Sequence, residues 1–141
     1  MLRIASVHVA AFYARARAAL AEAQTAKNKA AALVRSARAD AMRFARDRAR
    51  YAAPTANLIL AGADTVEGKT EAGLAHLEKA IAGFVAAEMG LFATVSRRRK
   101  GELLGGDEGR ALVVEADDFM RGEGVAKPER IATLLAPGFE M

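Results

Sequence analysis

No cysteine occurs among the 141 residues, so neither a disulfide framework nor a thiolate metal site can form, and a reducing, cytoplasmic setting fits. Tryptophan is absent and β-branched residues are few, which leaves little strand-forming material. No uncharged apolar run reaches the ~18 residues needed to span a bilayer. The two histidines, His8 and His76, form no metal-spaced pair, and each reads as a surface or partly packed side chain. Asp117 and Asp118 are adjacent, so on a helix they diverge by about 100° and make no acid/base pair. No serine or threonine has a base and an orienter in a recognisable pattern. No catalytic set, cofactor site or small-molecule substrate is expected.

What is present is alanine, about a quarter of the chain, with Leu, Glu, Arg and Lys. That is a helical composition whose small side chains permit close helix–helix contact. The length fits one domain. The net charge of +4 is uneven: residues 1–54 carry 11 Lys/Arg against 3 Asp/Glu, whereas residues 55–141 carry 10 against 14. A basic patch in the first half follows.

The opening "MLRIASVHVAAFYARARA" imitates a secretory signal only faintly, because His8 interrupts it. Ile4, Val7, Ala11, Ala14 and Ala18 repeat at helical spacing, so a first helix is expected over 3–23. A second, over 27–50, has an apolar stripe of Ala30, Leu33, Val34, Ala37, Ala41, Phe44 and Ala45. Arg35, Arg43, Arg46 and Arg50 fall on its opposite face and form the candidate interaction face. Pro54 suits the first turn of a third helix, over 54–66. Thr70 is expected to cap a fourth, over 70–89, and Gly90 to turn the chain into a fifth, over 91–103. Gly105 and Gly106 stop that helix. Asp107 is expected to cap a sixth, over 107–124, and Pro128 opens a short last one.

The expected fold is all-α: a short stack of antiparallel helical hairpins closed by a short helix. It divides into a basic hairpin (1–54), tetratricopeptide-like hairpins (55–104) and capping helices (105–141). Leu60–Ala61, Gly73, Leu77 and Ala80 occupy the large and small positions of the tetratricopeptide pattern, with Asp64 in place of the usual aromatic.

"ADTVEGKT", residues 63–70, satisfies a permissive phosphate-loop pattern. Asp64 and Glu67 would set negative charge beside the phosphates, and no later strand offers a metal-binding aspartate. A helix–turn–helix corner is the expectation there.

The run Arg97, Arg98, Arg99 and Lys100 spreads over about 300° of a helix, so it cannot face one phosphate backbone. No aromatic is interleaved to stack on bases. Arg97 and Lys100 point outward, and Arg98 sits near Glu102. Arg99 falls on the side marked by Leu91, Phe92, Val95 and Leu103, where a buried guanidinium demands an acceptor. Asp107 and Glu108, just past the glycine turn, are the expected partners, and the run is expected to complement the dipole at its own helix end.

The same segment, read as the arginine triplet 97–99, Gly101 to Leu103, Gly105–Gly106, Glu108–Gly109, Ala116–Asp117, Met120, Gly124–Val125, Pro128 and Ala136 to Phe139, resembles a known family. It is similar to the extreme C-terminus of large bacterial serine/threonine protein kinases of the myxobacterial type, over residues 70–139. In that family a kinase domain precedes a nucleotide-binding ATPase region and a tetratricopeptide-like array. Glu123 departs from the family's glutamine. The resemblance implies a terminal, non-catalytic piece of such an array, with Arg99 tying one helix end to its neighbour. A protein-binding or scaffolding role is therefore expected, without membrane attachment. A basic helical binder of nucleic acid or another anionic partner is the alternative.

Overall fold

The computed structural model describes residues 2–140, with side chains from residue 8 onward. Among these, seven α-helices and no strand occur: α1 (Leu2–Thr25), α2 (Ala30–Phe44), α3 (Ala52–Val66), α4 (Thr70–Ala86), α5 (Gly90–Leu104), α6 (Gly106–Gly122) and α7 (Pro128–Leu135). Helices α1 and α2, α3 and α4, and α5 and α6 pair as hairpins, and α2 on α3 and α4 on α5 join them into a stack. The short turns between them leave antiparallel neighbours as the only packing available.

Helix α3 holds the stack together because it is apolar on nearly every side. Ala52, Ala56, Ile59 and Ala63 face α1 and α2 in one core cluster. Leu58 and Ala61 face the second, with Leu77, Phe84, Val95, Met120 and Phe139. The tetratricopeptide positions Ala61, Gly73, Leu77 and Ala80 are all buried at this hairpin.

Small residues set the closest approaches. A Cβ on Gly101 would lie 2.6 Å from the Gly109 carbonyl oxygen, so α5 and α6 cross backbone to backbone there. A Cβ on Gly83 would meet the Pro54 ring at 2.7 Å between α3 and α4.

Several local expectations fail. The buried face of α1 is Val9, Ala16, Ala19, Leu20 and Ala23, while Ala11, Ala14 and Ala18 are exposed. The side chains of Ile4 and Val7 lie outside the described residues. Alanine gains too little on burial to fix a helix face, so the larger Val9 and Leu20 decide it. Helix α2 ends at Phe44, and residues 45–50 form turns and bends. Thr70 and Asp107 lie inside their helices, behind Lys69 and Gly105 at the cap positions, and neither makes a capping bond. Leu91, at the start of α5, is 39% exposed.

After α7 the chain turns back as a closing segment, Ala136–Glu140, into a notch between α1, α3 and α5. Gly62 makes this room, because a Cβ there would lie 2.5 Å from the Pro137 carbonyl oxygen. Gly138, at φ +107°, stacks directly on the Gly62 backbone. Gln24 of α1 brackets the segment, donating to the Glu140 carbonyl and accepting from the Gly138 N–H, both at 3.0 Å.

Candidate interaction surfaces

The four consecutive cations of α5 have four different fates. Arg98 donates to Asp117 at 2.6 Å and to Glu102. Burial works against its charge, but these partners outweigh it and raise its pKa further. Lys100 pairs with Glu78. Arg97 is exposed and makes no ion pair among the described residues.

Arg99 is 3% exposed and fully engaged. Its Nε donates to the Ala136 carbonyl at 2.9 Å, and Nη2 donates to the Ala132 carbonyl and to Glu140 Oε1, both at 3.1 Å. Nη1 reaches Glu102 at 2.7 Å, and the guanidinium lies 5.0 Å from the Phe139 ring centre.

The expected partners Asp107 and Glu108 are thus replaced. Both are exposed, and Asp107 pairs with Arg110. They sit in the first turn of α6, which the Gly105–Gly106 turn carries outward. The run also does not serve the dipole of α5, whose last turn holds no cation. Arg99 serves α7 instead. The final carbonyls of a helix lack intrahelical partners, and here side chains from two other helices take them. Tyr13 donates to the Leu135 carbonyl at 2.5 Å and Arg17 to the Leu134 carbonyl at 3.1 Å. Arg17 and Arg99 thereby place positive charge at the negative end of α7. Burial pushes the Tyr13 phenol well above its ordinary pKa. Burial alone would raise the Glu140 carboxyl, but Arg99 and Gln24 hold it below the usual range.

The phosphate-loop pattern dissolves. Residues 63–66 continue α3, Gly68 turns at φ +76°, and Thr70 begins α4. Buried Asp64 is spent on Arg38 at 2.8 Å and His76 Nδ1 at 2.6 Å, and Glu67 pairs with Arg38 and with Lys69. No group of three or more His, Cys, Asp or Glu with metal-binding geometry occurs among the described residues.

Arg35, Arg43, Arg46 and Arg50 are all exposed. They do not share one helix face, however, because Arg46 and Arg50 lie beyond the end of α2. Arg43 stands 3.8 Å from buried Asp40, whereas Arg35, Arg46 and Arg50 make no ion pair among the described residues. Nothing in the sequence pattern marks Asp40 as an anchor. It is 1% exposed and takes Arg15 through both oxygens, at 2.9 and 2.5 Å.

A second surface escaped sequence reading altogether. Where the end of α4 meets α5 and α6, an open groove of about 360 Å³ runs over Ala93 and Ala116. Val85 and Phe119 wall it while 53% and 49% exposed, and Arg97 and Glu88 stand at its rim. The turn carrying Glu88 is unusual. Helices α3, α4 and α6 end alike, with two reverse bonds around a left-handed residue, as in Glu88 N–H to the Val85 carbonyl and Met89 N–H to the Phe84 carbonyl. At the other two ends that residue is glycine, Gly68 and Gly124. Glu88, at φ 58°, is the one non-glycine residue with positive φ among the described residues. Such a backbone costs about 1–2 kcal/mol for a residue with a Cβ.

No protein-family profile, curated protein or solved structure matches this chain. The class rests on the coordinates: an all-α stack of three helical hairpins with a closing helix.

Proposed function

We propose that this chain is a non-catalytic helical-repeat module that binds a protein partner, in the cytoplasm, as the end piece of a larger signalling serine/threonine kinase. The occupant of the α4–α5–α6 groove is an amphipathic helix of that partner. Its apolar anchors cover Val85, Ala93 and Phe119, and a flanking acidic residue meets Arg97. Glu88 carries this reading. A strained residue at a position that glycine fills elsewhere in the fold persists where it has work to do, and this one borders the exposed apolar groove. Arg97, the one cation of its run without a carboxylate among the described residues, supplies the complementary charge.

Selection from a library of helical peptides on the whole chain tests this. Binders with two or three apolar anchors and an acidic flank are expected, weakened at least about tenfold by Phe119→Ala or Arg97→Glu. Glu88→Gly should weaken them too, while the fold itself gains about 0.5–1 kcal/mol. Binders indifferent to Phe119, or self-association of the chain through this groove, would overturn the reading.

One observation favours a second reading, a basic helical protein for nucleic acid or another anionic partner. Arg35, Arg46 and Arg50 spend no guanidinium donor on any described residue, and they lie on the half of the chain with the large positive excess. Affinity for random duplex DNA that falls steeply with salt, and falls equally on neutralising each arginine, would promote it.

A further inference from the structure

The basic region contains a more specific arrangement than a charged face. His8, Met42, Arg43 and Arg46 line one shallow hollow between α1 and the end of α2. Two of these residues share the Phe12 ring: His8 packs edge-on at 4.5 Å between ring centres and the Arg43 guanidinium carbon lies 5.4 Å from the ring centre, with that of Arg15 at 5.1 Å. Two guanidiniums over one ring repel each other unless a carboxylate intervenes. Asp40 supplies it, but unequally.

Both Asp40 oxygens are taken by Arg15, and Arg43 stands at 3.8 Å, outside hydrogen-bonding distance. Arg43 is therefore oriented by the ring and the buried charge, yet its N–H donors remain free. Arg46 has no partner of its own among the described residues. The hollow thus gathers two guanidiniums with unspent donors and an imidazole. We propose that it is a binding site for a phosphate dianion, such as a phosphomonoester or the end of an oligophosphate.

The chemistry favours phosphate over carboxylate. A guanidinium offers two parallel N–H donors that match two oxygens of one anion. Two such groups facing the same hollow can serve three or four oxygens and two charges, where a carboxylate would engage one and leave the other unmatched. A nucleic-acid backbone would use a stripe of cations, and Arg35 and Arg50 would then matter as much as Arg43 and Arg46. This inference uses the basic face but not its DNA-binding reading, and the two are tested apart.

The whole chain is titrated with inorganic phosphate, pyrophosphate and O-phosphoserine at fixed chloride, following backbone amide shifts by NMR. Saturable binding is expected, with shifts centred on residues 8–15 and 42–47. Arg43→Gln and Arg46→Gln should each weaken it at least about tenfold, while Arg35→Gln and Arg50→Gln change it less than about twofold. All four positions are exposed, so each variant should keep its helical circular dichroism. A preference for O-phosphoserine would point to a phosphorylated side chain as the source, and a preference for pyrophosphate to an oligophosphate tail. Non-saturating shifts, or equal losses at all four arginines, would overturn the proposal. Equal losses accompanied by DNA binding would instead return the face to nucleic acid.

Discussion

At the scale of the residue, Arg99 is an ion buried beside an aromatic ring, and its donors meet two carbonyls and two carboxylates. Its removal would leave the Ala136 carbonyl without its side-chain donor in a buried place and take the second donor from the Ala132 carbonyl, which keeps the Ala136 N–H. It would also strip Glu140 of its countercharge and leave Glu102 to Arg98 alone. Glu140 is 45% exposed, so solvent can compensate on that side. Arg99→Ala should therefore cost about 2–4 kcal/mol in a urea titration. Arg97→Ala, two positions earlier and without an ion pair, should cost under about 0.5 kcal/mol. Similar small losses at both would mean that Arg99 is solvated in solution. The burial of Arg99 was legible in the sequence, because helical phase alone puts it with Phe92 and Val95. Its partners were not, since Ala132, Ala136 and Glu140 lie a whole hairpin further on, and only tertiary folding brings them within reach. Asp107 and Glu108 were near in sequence and wrong in direction.

At the scale of the element, helix existence was legible throughout and helix faces only in part. Val34, Ala37, Ala41 and Phe44 of α2 are buried as their spacing implies, because Phe44 and Val34 weight one side. In α1 alanine occurs on both sides, so periodicity had little to choose between. The end of α2 was missed because the apolar spacing runs on into Ala45 while the chain turns. The groove was invisible because Val85 and Phe119, from different helices, meet only over α5. Glycine separates the elements further. Gly109 lies in α6 against the Gly101 carbonyl, whereas Gly122, near the other end of that helix, has no atom within 4 Å of an added Cβ. Gly109→Ala must push α5 from α6 and should lower stability by about 2–3 kcal/mol, as overpacking does. Gly122→Ala meets nothing and should raise it by up to about 1 kcal/mol through the helix propensity of alanine. Thermal unfolding of the two variants checks this. Equal effects would show that the α5–α6 crossing is looser than the backbone contact implies.

At the scale of the molecule, two core clusters share α3 and could in principle unfold separately, as neighbouring repeats of a linear array can. The closing segment opposes that separation. Phe139 fills the second cluster, while Gln24 and Gly62 hold the same segment to the helices of the first. Removing residues 136–141 should therefore cost more than the burial of Phe139. It should also divide one cooperative transition into two. The sequence provides the probe. Its two tyrosines, Tyr13 and Tyr51, both pack on the first cluster, and no tryptophan obscures them. Tyr13 also touches Leu135 and Phe92 of the second half, so both chains carry Tyr13→Phe; the fluorescence of Tyr51 then follows the first cluster, and circular dichroism follows every helix. In the full chain the two urea transitions should coincide. In the shortened chain, circular dichroism should begin to fall at lower urea, as α5, α6 and α7 lose Phe139 and two of the partners of Arg99, Ala136 and Glu140, while tyrosine fluorescence persists until α1, α2 and α3 separate. Coincident transitions in the shortened chain would mean that α3 alone makes the clusters one cooperative unit, with the closing segment adding stability but not coupling.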